Sequence, residues 1–318
     1  NSWGALNAYA AAERQSPGAV NRLVMGPWSH GQWNGVRGDS LGAMAWGSMT
    51  AVFFNDSIEA PFFNHYLLDG RPAPRAYEAA VFETGTNTWR FLDVWPPRNT
   101  TATNLYLREN GALAFEAPTV RGQIFDEYVS DPAKPVPYTA EVRHWYNNGF
   151  MVEDQRFAAR RPDVLVYRTP PLTSATTVAG PVDVDFVVST SGTDCDWIVK
   201  VIDVFPDSGA TGGYQMLVRG DVLRGKFRNS MSRPEPFTPG AATPIRFRMN
   251  DVFHTFRPGH RLMVQVQSTW FPMIDRNPGR FMNIWTATDA DFQRTAQRVY
   301  RSAEQASRVV LPVLTGAP

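Results

Sequence analysis

Cysteine is almost absent from this chain of 318 residues, because Cys195 is the only one. An intrachain disulfide is therefore excluded, although a periplasmic or secreted location is not, since a protein of this size needs no such cross-link. An excess of one charge is also lacking: 31 Lys and Arg nearly cancel 30 Asp and Glu, for a formal net charge of +1. This balance argues against a nucleic-acid partner. No apolar run is long enough to cross a bilayer, so we expect no membrane partner.

In the first part of the chain, helical and strand-like patterns alternate as in an α/β protein. Its length is enough for two domains. Residues 1–16 carry helical periodicity, residues 21–25 form a short apolar run typical of a buried strand, and residues 47–68 are helical again, with a break or kink expected at Pro61. Helix, strand and helix in this order indicate a doubly wound sheet, and we assign residues 1–72 to it.

After the turn sequence at residues 69–72, the sequence consists mainly of short strand-like runs separated by Pro, Gly, Asn and Asp. Ten such strands predict a β-sandwich, in the form of a jelly roll, over residues 73–318. The predicted strands are Tyr77–Thr84, Asn104–Arg108, Val164–Arg168, Val182–Thr190, Trp197–Val204, Tyr214–Arg219, Ile245–Met249, Arg261–Ser268, Arg298–Arg301 and Arg308–Val313.

A histidine, His30, follows directly after the short apolar run Leu23–Met25, which stops at Gly26-Pro27. The catalytic base of an α/β-hydrolase lies on such a loop, at the carboxyl end of a late strand. In that fold the triad order is Ser, then Asp or Glu, then His. A catalytic histidine at position 30 would therefore place most of the catalytic domain upstream of residue 1. The alternative is a loop histidine that is bonded to backbone.

Gly38-Asp39-Ser40-Leu41-Gly42 is a literal G-x-S-x-G sequence. A nucleophile elbow must follow a strand, open a helix and precede the histidine. No β-type run precedes Ser40, and it comes after His30. We therefore interpret it as part of a glycine-rich surface loop.

Other candidates for chemistry fall short of a recognised site. Asp194 and Asp196 share a strand face, but calcium needs more oxygens. His254 and His260 are six residues apart with no third ligand, and are expected to be structural. Cys195 adjoins a buried strand and is expected to be a small packed residue. We expect no metal and no cofactor.

Several segments, in order along the chain, resemble the C-terminal half of the X-Pro dipeptidyl-peptidase-like (CocE/NonD) hydrolases. Within these the chain is most similar to the α-amino acid ester hydrolases, then to cocaine-esterase-like and glutaryl acylase members. The segments are Leu23–Gly31, Trp89-Arg90 with Trp95-Pro96-Pro97, Glu153–Phe157, Arg161–Leu165, Thr193–Trp197, Val222–Arg228, Phe256–Arg261, Trp270-Phe271-Pro272 and Asp275–Pro278.

The resemblance implies a fold of three parts: an α/β-hydrolase domain, an inserted helical cap and a C-terminal jelly roll. Residues 1–72 would end the first and residues 73–318 would form the last. It also implies a serine hydrolase that cleaves or transfers acyl groups through a Ser-His-Asp triad. His30 would be the triad histidine, with the aspartate just upstream of residue 1 and the serine further upstream. This chain alone would then be inactive.

The same resemblance suggests the partners and the substrate contacts. The substrate would be a small ester or amide, such as an α-amino acid ester or a β-lactam side-chain amide, and the upstream catalytic segment of the same protein would be a partner. A homo-oligomer and a periplasmic or secreted location are suggested by analogy. Candidate substrate-binding residues are Trp28, Glu153, Asp154 and Asn1, which stands where an acidic residue is common.

A second hypothesis is a non-catalytic β-sandwich module that binds carbohydrate or protein. Such a module would expose aromatic side chains on one sandwich face. A hydrolase segment would instead show a truncated parallel sheet within residues 1–72, with an unpaired strand edge and exposed apolar surface.

Overall fold

The computed structural model describes residues 2–35 and 37–316. The chain begins with helix α1 (Ser2–Gln15), which ends before Pro17-Gly18, and continues into strand β1 (Leu23–Met25). Both elements lie where the sequence predicts them. A short hairpin of β2 (Ser40–Leu41) and β3 (Met44–Ala45) follows.

The predicted break at Pro61 is wrong, because the chain stays helical from residue 50 to residue 67. Helix α2 (Thr50–Phe54) passes through a π-helical turn (Asn55–Glu59) into α3 (Ala60–Leu67). The N–H of Ala60 donates to the carbonyl of Asn55, five residues back. Pro61 then stands in the first turn of α3, where its missing N–H is tolerated. A π-helical turn is itself a common place for a helix to bend, so a kink next to Pro61 stays a prediction.

A small mixed sheet contains strands from both sides of the predicted domain boundary. Strand β4 (Ala79–Glu83) pairs in parallel with β1 and antiparallel with β5 (Thr88–Leu92), in the order β1-β4-β5. The expectation that residues 77–84 belong to the sandwich is therefore wrong. All five residues of β4 are buried, as in strands that are covered on both faces. The sequence of β4 therefore shows no alternation of apolar and polar residues that could indicate its sheet. The division at residues 72/73 stays a prediction.

The rest of the chain is built around a two-sheet β-sandwich. Its strands are β6 (Thr100–Leu107), β7 (Leu113–Ala114), β8 (Phe125–Ser130), β9 (Leu165–Arg168), β10 (Thr176–Thr190), β11 (Asp196–Val204), β12 (Gln215–Arg224), β13 (Thr243–Phe256), β14 (Arg261–Gln267), β15 (Thr295–Tyr300) and β16 (Arg308–Leu314). A seven-stranded sheet runs in the order β7-β6-β16-β10-β15-β8, with β13 also paired to β10. It faces a four-stranded sheet in the order β12-β11-β14-β9.

Alternating side chains of the two sheets fill the core between them. Val184 and Phe186 of β10 meet Val199 and Val264 of the other sheet, and none of the four is more than 1% exposed. The sandwich that the strand pattern predicts is thus present, and it forms most of the chain.

The outer face of the four-stranded sheet is covered by the segment between β8 and β9, which includes helix α4 (Arg156–Ala159). Tyr138 and Phe150 of this segment pack on Ile198, Ile202 and Trp270. The four-stranded sheet is therefore buried on both faces.

The small sheet is hydrogen-bonded directly to the sandwich at the end of β4. The N–H of Thr84 donates to Phe253 O at 3.0 Å, and the N–H of Thr255 donates to Thr84 O at 2.9 Å. The Thr255 hydroxyl also donates to the buried carboxylate of Glu83. No helix in the described residues is long and apolar enough to cross a membrane.

Candidate active site

The sequence-predicted histidine lies on the loop that follows β1, and its side chain is exposed. The imidazole meets Trp33 edge to face, with ring centroids 6.0 Å apart. Among the residues that the structure describes, neither imidazole nitrogen of His30 has a hydrogen-bond partner, so the alternative of a backbone-bonded loop histidine gains no support. Both nitrogens are available for proton transfer.

Trp28 fixes this loop against the helix that follows it. Its indole Nε1 donates to Thr50 Oγ1 at 2.8 Å, and the Thr50 hydroxyl donates in turn to Gly38 O. The indole also packs against Phe54 and Trp89, at centroid distances of 5.3 and 5.7 Å. An aromatic cluster of this kind holds the loop in one position.

Gly38 has to be a glycine for this packing to form. Its φ is +64°, in the left-handed region, and a Cβ would lie 2.8 Å from Ala51 and 2.9 Å from Trp28 Nε1. One glycine of the G-x-S-x-G sequence thus serves close packing. Ser40 itself is the first residue of β2, and its carbonyl accepts from Gln32 Nε2 at 2.7 Å. The serine lies on a hairpin and not at a strand-to-helix turn.

His30 lines an apolar cavity of about 260 Å³, which we call the histidine cavity. Its other walls come from β1, from the histidine loop and from the helices: Ala5, Val24, Met25, Trp28, Trp33 and Phe54. Trp28, predicted to contact substrate, therefore shares this cavity with His30. An apolar wall next to an imidazole suits a hydrophobic acyl or leaving group.

A second, larger cleft of about 690 Å³ separates the histidine loop from residues 142–149 of the segment that covers the sandwich. Ser29 and Gln32 line one side, and Trp145 and Tyr146 line the other, with 86% and 65% of their surfaces exposed. We call residues 142–149 the aromatic segment. Sequence reasoning missed it, although His144-Trp145-Tyr146 is an uncommon run of aromatic residues for a polar loop.

The predicted acidic contacts are not brought to either cavity. Asp154 accepts from the N–H groups of Arg156 and Gln215 and pairs with the Arg156 guanidinium. Glu153 accepts from the N–H of Ala140, and burial raises its pKa above the usual value. These are bonds that hold the covering segment together, so the geometry gives their substrate role no support. Asn1 lies outside the described residues.

Asp203 is the hydrogen-bond partner of His254 and His260, the two histidines for which the sequence offers no third metal ligand. Its Oδ2 lies 3.2 Å from His254 Nε2 and its Oδ1 lies 2.9 Å from His260 Nδ1. Asp194 and Asp196 are buried, and Asp196 pairs with Arg224 at 2.9 Å. Cys195 is buried, which raises its thiol pKa well above the usual value. Within the described ranges, no group of three or more His, Cys, Asp or Glu residues could hold a metal ion.

The β-sandwich is that of the C-terminal domain of CocE/NonD-like hydrolases. The X-Pro dipeptidyl-peptidase C-terminal non-catalytic domain matches residues 75–310, and the chain belongs to this family. It is also 31% identical over 306 residues to the cocaine esterase of Rhodococcus sp. (strain MB1 Bresler), covering 92% of this chain and 51% of that protein.

Two solved structures are similar over nearly the whole chain. An α-amino acid ester hydrolase is 42% identical with a TM-score of 0.93, and the match covers 98% of this chain and 53% of that one. An aminopeptidase from a marine sediment archaeon (Thaumarchaeota archaeon) is 39% identical with a TM-score of 0.94, covering 99% and 53%. The resemblance seen in the sequence is confirmed, and this chain spans about half the length of these relatives.

Proposed function

We propose that this chain is the C-terminal part of a serine hydrolase that cleaves small esters or amides, with His30 as the general acid and base. The observation that carries the proposal is the imidazole on a strand-end loop, with both nitrogens unpartnered in the described residues, beside an apolar cavity. The relatives are named as a cocaine esterase and an ester hydrolase, which supports the reaction class.

The surface of residues 1–72 supports assigning them to an α/β-hydrolase domain. Strand β1 is at the edge of its sheet and pairs on one side only, in parallel, with β4, which lies outside residues 1–72. Apolar side chains of α1 and α3 are exposed, including Trp3 at 66% and Leu67 at 73%. We propose that an upstream segment of the same protein pairs with β1 and covers this surface.

The binding-module hypothesis receives less support. Its expected signature is a set of exposed aromatic side chains on one sandwich face. Trp145 and Tyr146 lie instead on the aromatic segment, where they line the cleft beside the histidine loop. Trp285, 82% exposed, lies in a short helical turn between β14 and β15 and not on a strand of a sandwich face.

In the proposed reaction, His30 accepts the proton of the upstream serine hydroxyl while the serine oxygen bonds to the substrate carbonyl. The imidazolium then returns this proton to the leaving alcohol or amine as the acyl–oxygen or acyl–nitrogen bond breaks, which leaves an acyl-enzyme. Water, deprotonated by the same imidazole, releases the acid and restores the serine. The histidine cavity and the cleft would hold the two halves of the substrate.

The test is the substitution His30→Ala in the complete protein, assayed with p-nitrophenyl acetate and with an α-amino acid p-nitrophenyl ester. Loss of the triad histidine lowers kcat on the order of a million-fold. Ser40→Ala tests the G-x-S-x-G alternative and should leave acyl-enzyme formation intact, although KM can change because Ser40 lines the cleft. His65→Ala, outside both cavities, is the matched control and should leave kcat near wild type. The proposal fails if His30→Ala keeps its turnover, or if Ser40→Ala abolishes acyl-enzyme formation. Faster turnover of the α-amino ester than of the acetate would support the α-amino acid preference.

A further inference from the structure

A third cavity, of about 400 Å³, lies where the β2–β3 hairpin meets the sandwich. We call it the junction cavity. It shares no lining residue with the histidine cavity or with the cleft. The hairpin stands between them, since Ser40, Leu41 and Gly42 line the cleft, whereas the residues from Ala43 to Trp46 line the junction cavity. Its size is that of a site for a small organic molecule.

One side of the junction cavity is an ordered polar group built on Asp203. This carboxylate is 2% exposed, and each of its oxygens is bonded to a histidine, His254 or His260. Burial raises its pKa, but the two histidine hydrogen bonds outweigh burial and hold the pKa below its usual value. Both carboxylate oxygens of Asp203 are therefore hydrogen-bonded within the protein before any ligand binds.

His260 and Arg257 provide the groups that remain available. His260 Nδ1 is bonded to Asp203, which leaves Nε2 as the other polar atom of a ring that packs on Phe205 at 4.9 Å. Arg257 is exposed and donates to Gly85 O, and it has no carboxylate partner within 4.0 Å in the described part of the chain. His260 Nε2 is an acceptor when the ring is neutral and its Nδ1–H donates to Asp203, so the uncompensated guanidinium of Arg257 is the group that suits an anion.

The junction cavity also has apolar and aromatic lining. Trp46, Phe205 and Met216 line it, and Trp46 and Met216 are 4% and 5% exposed. The buried Nε1 of Trp46 has no hydrogen-bond partner in the residues described. Such a donor is stabilised when an acceptor comes within reach.

We propose that the junction cavity binds a small aromatic carboxylate. The carboxylate pairs with Arg257, and the ring packs against Trp46, Phe205 and Met216. A planar guanidinium matches a carboxylate in two parallel hydrogen bonds, and an aromatic wall next to a cation favours a flat apolar body attached to the anion. The site is separate from His30 and does not depend on the proposed hydrolase reaction.

Methionine methyl groups allow the site to be located without any enzyme assay. Met44 and Met216 line the junction cavity, Met25 lines the histidine cavity, and Met231 is 81% exposed on the surface. The protein is labelled with ¹³C-methyl methionine, each signal is assigned by a Met→Leu substitution, and sodium benzoate is added up to 20 mM. We expect saturable shifts of Met44 and Met216 but not of Met25 or Met231.

Two comparisons test the role of charge. Benzamide, the neutral analogue of benzoate, should bind at least ten-fold more weakly. Arg257→Gln should weaken benzoate binding at least ten-fold, Arg257→Lys less, and Arg121→Gln, a change at a surface ion pair, not at all. The proposal is wrong if benzoate shifts Met25 and leaves Met44 and Met216 unchanged, if no signal shifts, or if benzoate and benzamide bind equally well. Each outcome is independent of whether His30→Ala abolishes turnover.

Discussion

Lys200 should make the stability of the sandwich depend on pH in a way that can be calculated from its surroundings. It is 0% exposed on β11, and its ammonium group donates to Gln155 Oε1 at 2.9 Å and lies 5.0 Å from the centroid of the Trp270 ring. Burial lowers its pKa from 10.5 to about 7, although the nearby charge of Glu153 acts in the opposite direction. The informative substitution is Lys200→Met, which fills the space of the side chain as far as Cε and removes the titrating group.

The direction of the effect follows from the two pKa values of Lys200 in the folded and unfolded chain. Below about pH 7 both states are protonated, and the folded state bears the full penalty of a buried charge, about 5 kcal/mol for a fall of about 3.5 units. Between about pH 7 and 10.5 the unfolded chain keeps a proton that the folded chain has released. Wild-type stability therefore rises with pH, by up to about 1.4 kcal/mol per unit relative to Lys200→Met. From pH 7 to pH 9 the relative gain is about 2 kcal/mol.

Urea unfolding of wild type and Lys200→Met at several pH values from 6 to 9 measures this difference directly. Titrating groups that do not interact with Lys200 cancel between the two proteins, whereas the pKa of Glu153, which the Lys200 charge lowers, rises further in Lys200→Met. Lys134→Met is the matched control, because Lys134 is exposed, and its difference from wild type should not change with pH. The sequence contains only three lysines, Lys134, Lys200 and Lys226, so ¹³Cε-lysine NMR can follow the titration of Lys200 itself. A wild-type minus Lys200→Met difference that is flat from pH 6 to 9 would refute the argument.

Two further substitutions test the packing of the histidine loop and of the sandwich. Gly38→Ala should destabilise the protein by about 1–3 kcal/mol more than Gly47→Ala in thermal unfolding, because both glycines have positive φ but only Gly38 lacks room for a Cβ; equal effects would contradict this. Arg224→Met should reduce the free energy of unfolding by about 3–5 kcal/mol, since it leaves the carboxylate of Asp196, 1% exposed, without its cation. Arg248→Met breaks an exposed pair with Asp183 and should cost less than about 1 kcal/mol, so similar losses for the two arginines would show that burial is not the deciding factor.

The sandwich could be predicted because alternation records which side of a strand is buried. Val182, Val184 and Phe186 alternate with half-buried residues, as one buried face requires. A strand that is buried on both faces shows no alternation, so its sequence does not indicate which sheet it joins. For this reason Ala79–Glu83 was counted with the sandwich strands, although it belongs to the small sheet. The position of His30 after a strand could be predicted from the Gly26-Pro27 stop, and the structure places the residue there.

Contacts between residues far apart in the chain could not be predicted. Asp203 lies about fifty residues from the two histidines that it joins, and no spacing rule links them. In the same way, residues 142–149 reach the histidine loop only because the segment that contains them crosses the outer face of the four-stranded sheet. The roles of Glu153 and Asp154 as substrate contacts stay predictions; in the structure their carboxylates bond to local backbone N–H groups and to Arg156.

The hydrogen bonds that join Thr84 to Phe253 and Thr255 have a mechanical consequence for the proposed enzyme. They join the sheet that supports His30 to β13 of the longest strand pair of the sandwich, so a hinge motion between the two would break both hydrogen bonds. The sandwich therefore fixes one side of the cleft. If the cleft changes its width, we expect the exposed aromatic segment on its other side to be the part that moves.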